Sequence, residues 1–264
     1  MNANKGWLSI RGLAGIGLLL LAGLAGAADK INYGAAIDDA GRQRMLTQRI
    51  VKAYCQEGMM VMPEQSRAQL NASVKRFDKQ LQVLRHATPD AQTRDALAKV
   101  AAAWKPFRAT ATGKVSQAGA ATLAQQSEVV LNAANDFVFL LQAAAGTPQA
   151  RLVNISGRQR MLSQRLAKLY MLRAYGIDSP QIREDIAATT EEFSTGLATL
   201  RAAPENTAAI KGELDAVAMQ WEWFKNALSM QGAESHAYVV ADASESILSS
   251  MEIVTAKYAL LGKK

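Results

Sequence analysis

Gly41-Arg42-Gln43-Arg44-Met45-Leu46-Thr47-Gln48-Arg49 occurs twice in this chain, the second time as Gly157-Arg158-Gln159-Arg160-Met161-Leu162-Ser163-Gln164-Arg165. Extended to Tyr54 and Tyr170, ten of the fourteen paired positions are identical, so one element has been duplicated and kept while its surroundings drifted. The offset of 116 also pairs Phe77 with Phe193, Leu81 with Leu197 and Leu84 with Leu200. After one inserted residue, an offset of 117 pairs Trp104 with Trp221, Phe107 with Phe224, Ser127 with Ser244 and Glu128 with Glu245. The duplication therefore spans two repeats, residues 28–146 and 147–264. Two copies are too few for a solenoid, and the period is too long for the usual ones.

Abundant Ala and Leu, few aromatics and little Pro favour helix throughout, and no stretch alternates long enough to read as a set of strands. Each repeat divides into four helical segments. In the first repeat they run from about Asn32 to Met60, Glu64 to Arg85, a Thr88-Pro89-Asp90 start to Thr110, and Gln117 to Ala144. Pro89 is expected at the first position of the third helix. Gly146-Thr147-Pro148 breaks the chain. In the second repeat Gly176, Ser179-Pro180 and Pro204 punctuate the helices, and the last turn falls at Met230 to Glu234. Four helices on short loops give an antiparallel up-down bundle. The expected fold class is thus all-α: two tandem antiparallel four-helix bundles forming a pseudo-dimer. Trp104/Phe107 and Trp221/Phe224 are most simply core anchors; an aromatic ligand box is the alternative.

Residues 1–27 read as a secretory signal peptide. Lys5 and Arg11 precede the apolar run Leu13 to Leu24, and Ala25-Gly26-Ala27 supplies a small-x-small cleavage site. An uncleaved anchor is the alternative, but the run is short for a span. The expected product is exported and periplasmic, with no membrane span after cleavage. Its 28 basic and 23 acidic side chains leave a net charge of +5 without basic blocks, which does not read as a nucleic-acid footprint. Cys55 is the only cysteine, so there is no intramolecular disulfide, and a small core residue is its simplest role. His86 and His236 sit at non-equivalent places in the repeats, with no metal-ligand or nucleophile motif beside them. No catalytic residue, metal or cofactor is therefore expected, and an enzyme is the weakest reading.

At about 100° per residue the motif helix has two faces. Gln43, Leu46, Ile50, Ala53 and Tyr54 suit the core of the helix's own bundle. Ile37, Gly41, Arg44, Met45, Gln48 and Val51 form a second face, apolar but carrying one arginine and one amide, with Arg42 and Arg49 at its border. A mid-helix glycine costs nearly 1 kcal/mol against alanine, so keeping it in both copies suggests close approach of a helix or a ligand. Arg44 lies one turn away, and the motif offers it no acid on that face; the same holds for Arg160. Were the two motif helices to pack together, two guanidinium groups would converge without a protein counter-charge. A small planar oxyanion between them would resolve that conflict. The competing reading is that these arginines lie along a solvated face or pair with acids on neighbouring helices, and that the motif is kept for packing alone.

At these residues, from Ala40 to Arg49 and from Ser156 to Arg165, the sequence resembles the PilJ-type sensor domain. That domain is the extracytoplasmic input module of some chemoreceptors and is related to the sensor domain of nitrate/nitrite-responsive histidine kinases. The resemblance implies a four-helix bundle that dimerises through its first helices. In nitrate-sensing members one anion is held at the dimer interface by a symmetry-related pair of arginines and nearby backbone at a glycine. Those positions fall here on Arg44 and Arg160, and on Gly41 and Gly157, with Gln48 and Gln164 one turn further along. The chain departs from the receptor pattern in carrying two bundles, an expected cleavable signal and no output domain. An internal pseudo-dimer could then form one site, with homo-oligomers left open. The leading expectation is a periplasmic protein that binds nitrate, nitrite or a similar oxyanion and reports to a membrane chemoreceptor or sensor kinase. The second is a ligand-free interaction protein docking on a homologous receptor bundle.

Overall fold

The computed structural model describes residues 31–229 and 234–261. The expected signal peptide and most of the turn expected at Met230 to Glu234 lie outside the described residues. Among these, the α-helices are α1 (Tyr33–Gly58), α2 (Pro63–Leu84), α3 (Ala91–Ala111), α4 (Gln117–Ala145), α5 (Pro148–Ala174), α6 (Pro180–Arg201), α7 (Ala208–Ser229) and α8 (Glu234–Leu260). They form two antiparallel four-helix bundles, α1–α4 and α5–α8, as the sequence predicts. The motif helices α1 and α5 make the largest contact between any two elements and join the bundles.

Local chemistry sets the helix ends. Asn32, Ser116, Thr147 and Ser179 each accept a hydrogen bond from a backbone N–H in the first turn of α1, α4, α5 and α6. Such caps contribute about 0.5–2 kcal/mol apiece. At α3 the cap is Asp90, in a reciprocal capping box with Thr93. Pro89 therefore precedes the helix instead of opening it, because the Asp90 carboxylate satisfies the Thr93 N–H at 2.8 Å. Gly146 (φ 60) ends α4 in the left-handed region before Thr147 and Pro148 start α5.

α5 ends the same way, with Gly176 (φ 86) just past it. Its equivalent in the first repeat is Met60, also left-handed (φ 60), so α1 stops before Met60. A left-handed backbone costs an L-residue roughly 1–2 kcal/mol.

The core anchors pack as the spacing predicts. Trp104 stacks on Phe77 with ring centroids 3.8 Å apart, and Trp221 on Phe193 at 4.1 Å. Their indole N–H groups donate to Asp78 and Ser194, so neither nitrogen is buried unsatisfied. Cys55 is fully buried, and burial pushes its thiol up to about 12, which suits an inert core residue.

Polar side chains also tie the bundles together. Lys52 and Arg49 on α1 reach Glu245 on α8, with Lys52 Nζ donating at 2.5 Å. The repeat-equivalent set runs the other way: Lys168 and Arg165 on α5 reach Glu128 on α4, both at 2.7 Å. Both lysines are buried. A surface ion pair contributes only about 0–1 kcal/mol. Breaking a fully buried one costs about 3–5 kcal/mol. Here the lysines are buried but Glu245 and Glu128 are 30% and 38% exposed, which places these crossed pairs between the two limits. Burial raises the Glu245 pKa, but Lys52 and Arg49 outweigh it and hold the carboxyl at about 2.

Met60→Gly relieves the left-handed strain at an exposed side chain, so thermal denaturation should show a Tm higher by about 2 °C, consistent with a gain of up to roughly 1 kcal/mol. Glu245 contributes stability above its unfolded pKa of 4.5 and loses it as pH falls through about 2. Urea titrations from pH 7 to pH 2 should therefore show Glu245→Gln less stable at neutral pH, with a shallower loss on acidification than the unsubstituted chain.

Candidate anion-binding site

The α1–α5 contact centres on the twin motif. From Ala40 to Gln48 every residue of α1 is buried, because α2, α4, α5 and α8 surround the helix. The polar residues of the motif are therefore interior groups that must find partners.

Arg44 and Arg160 are both fully buried. A Cβ placed on Gly41 would lie 3.2 Å from Arg44 Nη2 and 3.8 Å from Arg160 Nη2. One on Gly157 would lie 3.2 Å from Arg160 Nη2 and 3.5 Å from Arg44 Nη2. Both guanidinium tips thus lie against both glycines, and the missing side chains leave them room. What approaches each glycine is a pair of arginine ends, one from its own helix and one from the other.

The partners of the two arginines differ. Arg160 Nη2 donates to Asp38 Oδ1 at 2.6 Å. Arg44 Nη2 donates to Asn154 Oδ1 at 2.9 Å, and Arg44 Nη1 to Asn135 Oδ1 at 3.2 Å. The expectation that neither arginine has a protein counter-charge therefore fails at Arg160. Asp38 lies one turn before Gly41, outside the motif, and α1 meets α5 so closely that its carboxylate crosses to the opposite repeat. Burial raises the Asp38 pKa, but Arg160 and Arg42 outweigh it and leave it below the usual range. At Arg44 the expectation holds, since its side-chain partners are neutral amides. Burial first, then Arg158 and Arg160, bring its pKa down to about 9, partly opposed by Glu192. It stays cationic at neutral pH.

Arg44 Nε, Arg160 Nε and Arg160 Nη1 are buried donors with no protein acceptor. Each such group carries a desolvation cost of about 1–3 kcal/mol, more when charged. Three unpartnered donors on two planar cations suit an acceptor-only ligand with several oxygens.

Gly41, Arg44, Gly157 and Arg160 come together in this way. Gln48 and Gln164 are also buried, but their amide nitrogens are engaged elsewhere: Gln48 Nε2 donates to Thr47 Oγ1 at 3.0 Å, and Gln164 Nε2 to the Ser244 carbonyl at 2.9 Å. The remaining motif arginines pair with carboxylates: Arg42 with Glu252 and Asp38, Arg49 with Glu245, Arg158 with Glu192, and Arg165 with Glu128 and Asp185. Sequence reasoning missed Asp38, Asn135 and Asn154. The offset of 116 aligns Asp38 with Asn154, and that acid-to-amide change one turn from the motif was the available signal.

Among the described residues no group of three or more His, Cys, Asp or Glu side chains could hold a metal ion, and no helix is long and apolar enough to cross a membrane. No curated protein and no solved structure matches the chain. A family profile described as type IV pili methyl-accepting chemotaxis transducer N-term, PilJ, matches residues 30–137 and again residues 144–244. With both repeats matched over most of their length, the chain belongs to the PilJ family, as a tandem pair of sensor domains of the kind found in chemotaxis transducers.

Proposed function

We propose that this protein is a periplasmic sensor and binding protein for one small oxyanion, nitrate or nitrite, held between α1 and α5. The observation that carries the reading is the convergence of two buried guanidinium groups on Gly41 and Gly157, with three of their donors lacking a protein acceptor. An anion there would neutralise charge and accept the free N–H groups at once. In this reading residues 1–27 are the cleaved signal, residues 28–146 and 147–264 are the two sensor repeats, and a membrane chemoreceptor or sensor kinase receives the signal. The role is binding and reporting, without catalysis or a cofactor. With Arg44, Arg160, Gly41 and Gly157, this reading takes Gln48 and Gln164, one turn further along the motif helices, as ligand-binding residues.

A second reading, docking on a homologous receptor bundle without a ligand, draws on Met219 and Trp223. They stand one turn apart on α7, 72% and 51% exposed. Large exposed apolar side chains so placed suit a protein contact.

A thermal-shift series at constant ionic strength separates the two. An anion at about 100 times its dissociation constant stabilises the native state by roughly 2.7 kcal/mol. Nitrate or nitrite should raise the Tm selectively over chloride, sulfate and phosphate, and Arg44→Ala should abolish the rise. No shift with any of these anions would reject the binding reading and favour docking. Gly41→Ala provides a subtler test. The added methyl would lie 3.2 Å from Arg44 Nη2, an end held by Asn154, so the arginine must shift, while the helix gains up to about 1 kcal/mol of propensity. Crowding of Arg44 and the propensity gain oppose each other, so its anion-free Tm should stay within a few degrees of the unsubstituted chain's, while its anion-induced shift should shrink.

A further inference from the structure

The duplication aligns Asp38 with Asn154 at an offset of 116, and Asn135 with Glu252 at an offset of 117. These four positions surround the two arginines, and the acids are all on one side. Arg160 has Asp38 at 2.6 Å and feels Glu252, which itself holds Arg42. Arg44 has Asn154 at 2.9 Å and Asn135 at 3.2 Å. An amide keeps the shape of a carboxylate and its acceptor oxygen but carries no charge. The two halves of the site are therefore alike in shape and different in charge.

Charge can be counted over the two buried arginines and the ion pairs beside them. Arg42 is balanced by Glu252 and Arg158 by Glu192. Arg44 and Arg160 remain, with Asp38 paired to Arg160, and one positive charge is in excess. A monovalent anion cancels that excess. A divalent anion would leave a net negative charge in a fully enclosed setting, which low dielectric penalises heavily. Resting on the proposed binding role, we infer that the Asp38/Asn154 difference sets the charge selectivity of the site, favouring a monovalent over a divalent anion. Asp38 acts as a built-in anion for one arginine, and the ligand acts as the anion for the other.

Titration calorimetry with sodium nitrate and sodium sulfate, at constant ionic strength, tests this on the purified full chain. The unsubstituted chain should bind one nitrate per chain and bind sulfate at least tenfold more weakly. Asn154→Asp places a carboxylate beside Arg44. It should weaken nitrate binding at least tenfold while raising the anion-free Tm. Asn154 Nδ2 also donates to Gln142 Oε1 at 2.6 Å, so Asn135→Asp, which leaves that bond intact, serves as the second variant and should act in the same direction. Asp38→Asn removes the built-in anion and should raise the sulfate-to-nitrate affinity ratio at least tenfold. Nitrate binding that survives both Asn→Asp variants unchanged, or sulfate binding as tightly as nitrate in the unsubstituted chain, would overturn the inference and leave the binding role standing. A chain that binds neither nitrate nor sulfate would overturn both.

Discussion

Two arginine side chains buried against one another at a helix–helix contact are the constraint on which the middle of this molecule depends. A guanidinium group cannot be desolvated cheaply, and a second one beside it adds repulsion. The surroundings answer that demand. Glycine stands opposite each guanidinium tip because a side chain there would crowd it. Asp38 reaches across from the other repeat, and the amides of Asn135 and Asn154 accept from Arg44. Cost is thus concentrated where α1 meets α5, and the rest of the two bundles is ordinary aromatic and aliphatic packing around Trp104 and Trp221.

The crossed lysine–glutamate pairs show how such a centre can be held in place. Lys52 and Arg49 bind a carboxylate on α8, and Lys168 and Arg165 bind its equivalent on α4. Each motif helix is therefore fastened to the last helix of the opposite repeat. The lysines are buried while their carboxylates stay about a third exposed, so each pair ties an interior cation to the edge of the opposite repeat. The register of α1 against α5 decides which arginine tip meets which glycine.

Carrying both repeats on one chain has a chemical consequence. In a two-fold homodimer every substitution appears twice, so an interface site must have matched halves. Covalent duplication removes that restriction. Asp38 and Asn154 occupy equivalent places, as do Glu252 and Asn135, and in each pair the amide lies beside Arg44. A symmetric pair of acids would neutralise both arginines, and a symmetric pair of amides would leave both uncompensated. The mixed arrangement leaves a single excess charge, a state that only a chain with two unlike copies can hold.

Much of this was legible in the sequence. Helical composition, the punctuation at Gly146-Thr147-Pro148 and Gly176, and the spacing of Trp104 and Phe107 are local or periodic signals, and they determined an all-α chain of two similar bundles. The twin motif likewise marked Gly41, Arg44, Gly157 and Arg160, because a costly mid-helix glycine one turn from an arginine is informative wherever it stands. Some local chemistry was misjudged, as at Pro89, where the Asp90–Thr93 capping box outweighs the preference of proline for a first helical turn. The pairing of charges could not be read at all. Asp38 lies 122 positions from Arg160, and Glu245 lies 193 from Lys52. Coulombic and hydrogen-bond partners are chosen by distance in space, and only the packing of α1 on α5 brings those groups together. Sequence determined the helices and named the arginines; tertiary structure decided that one of them is neutralised by the protein and the other is not.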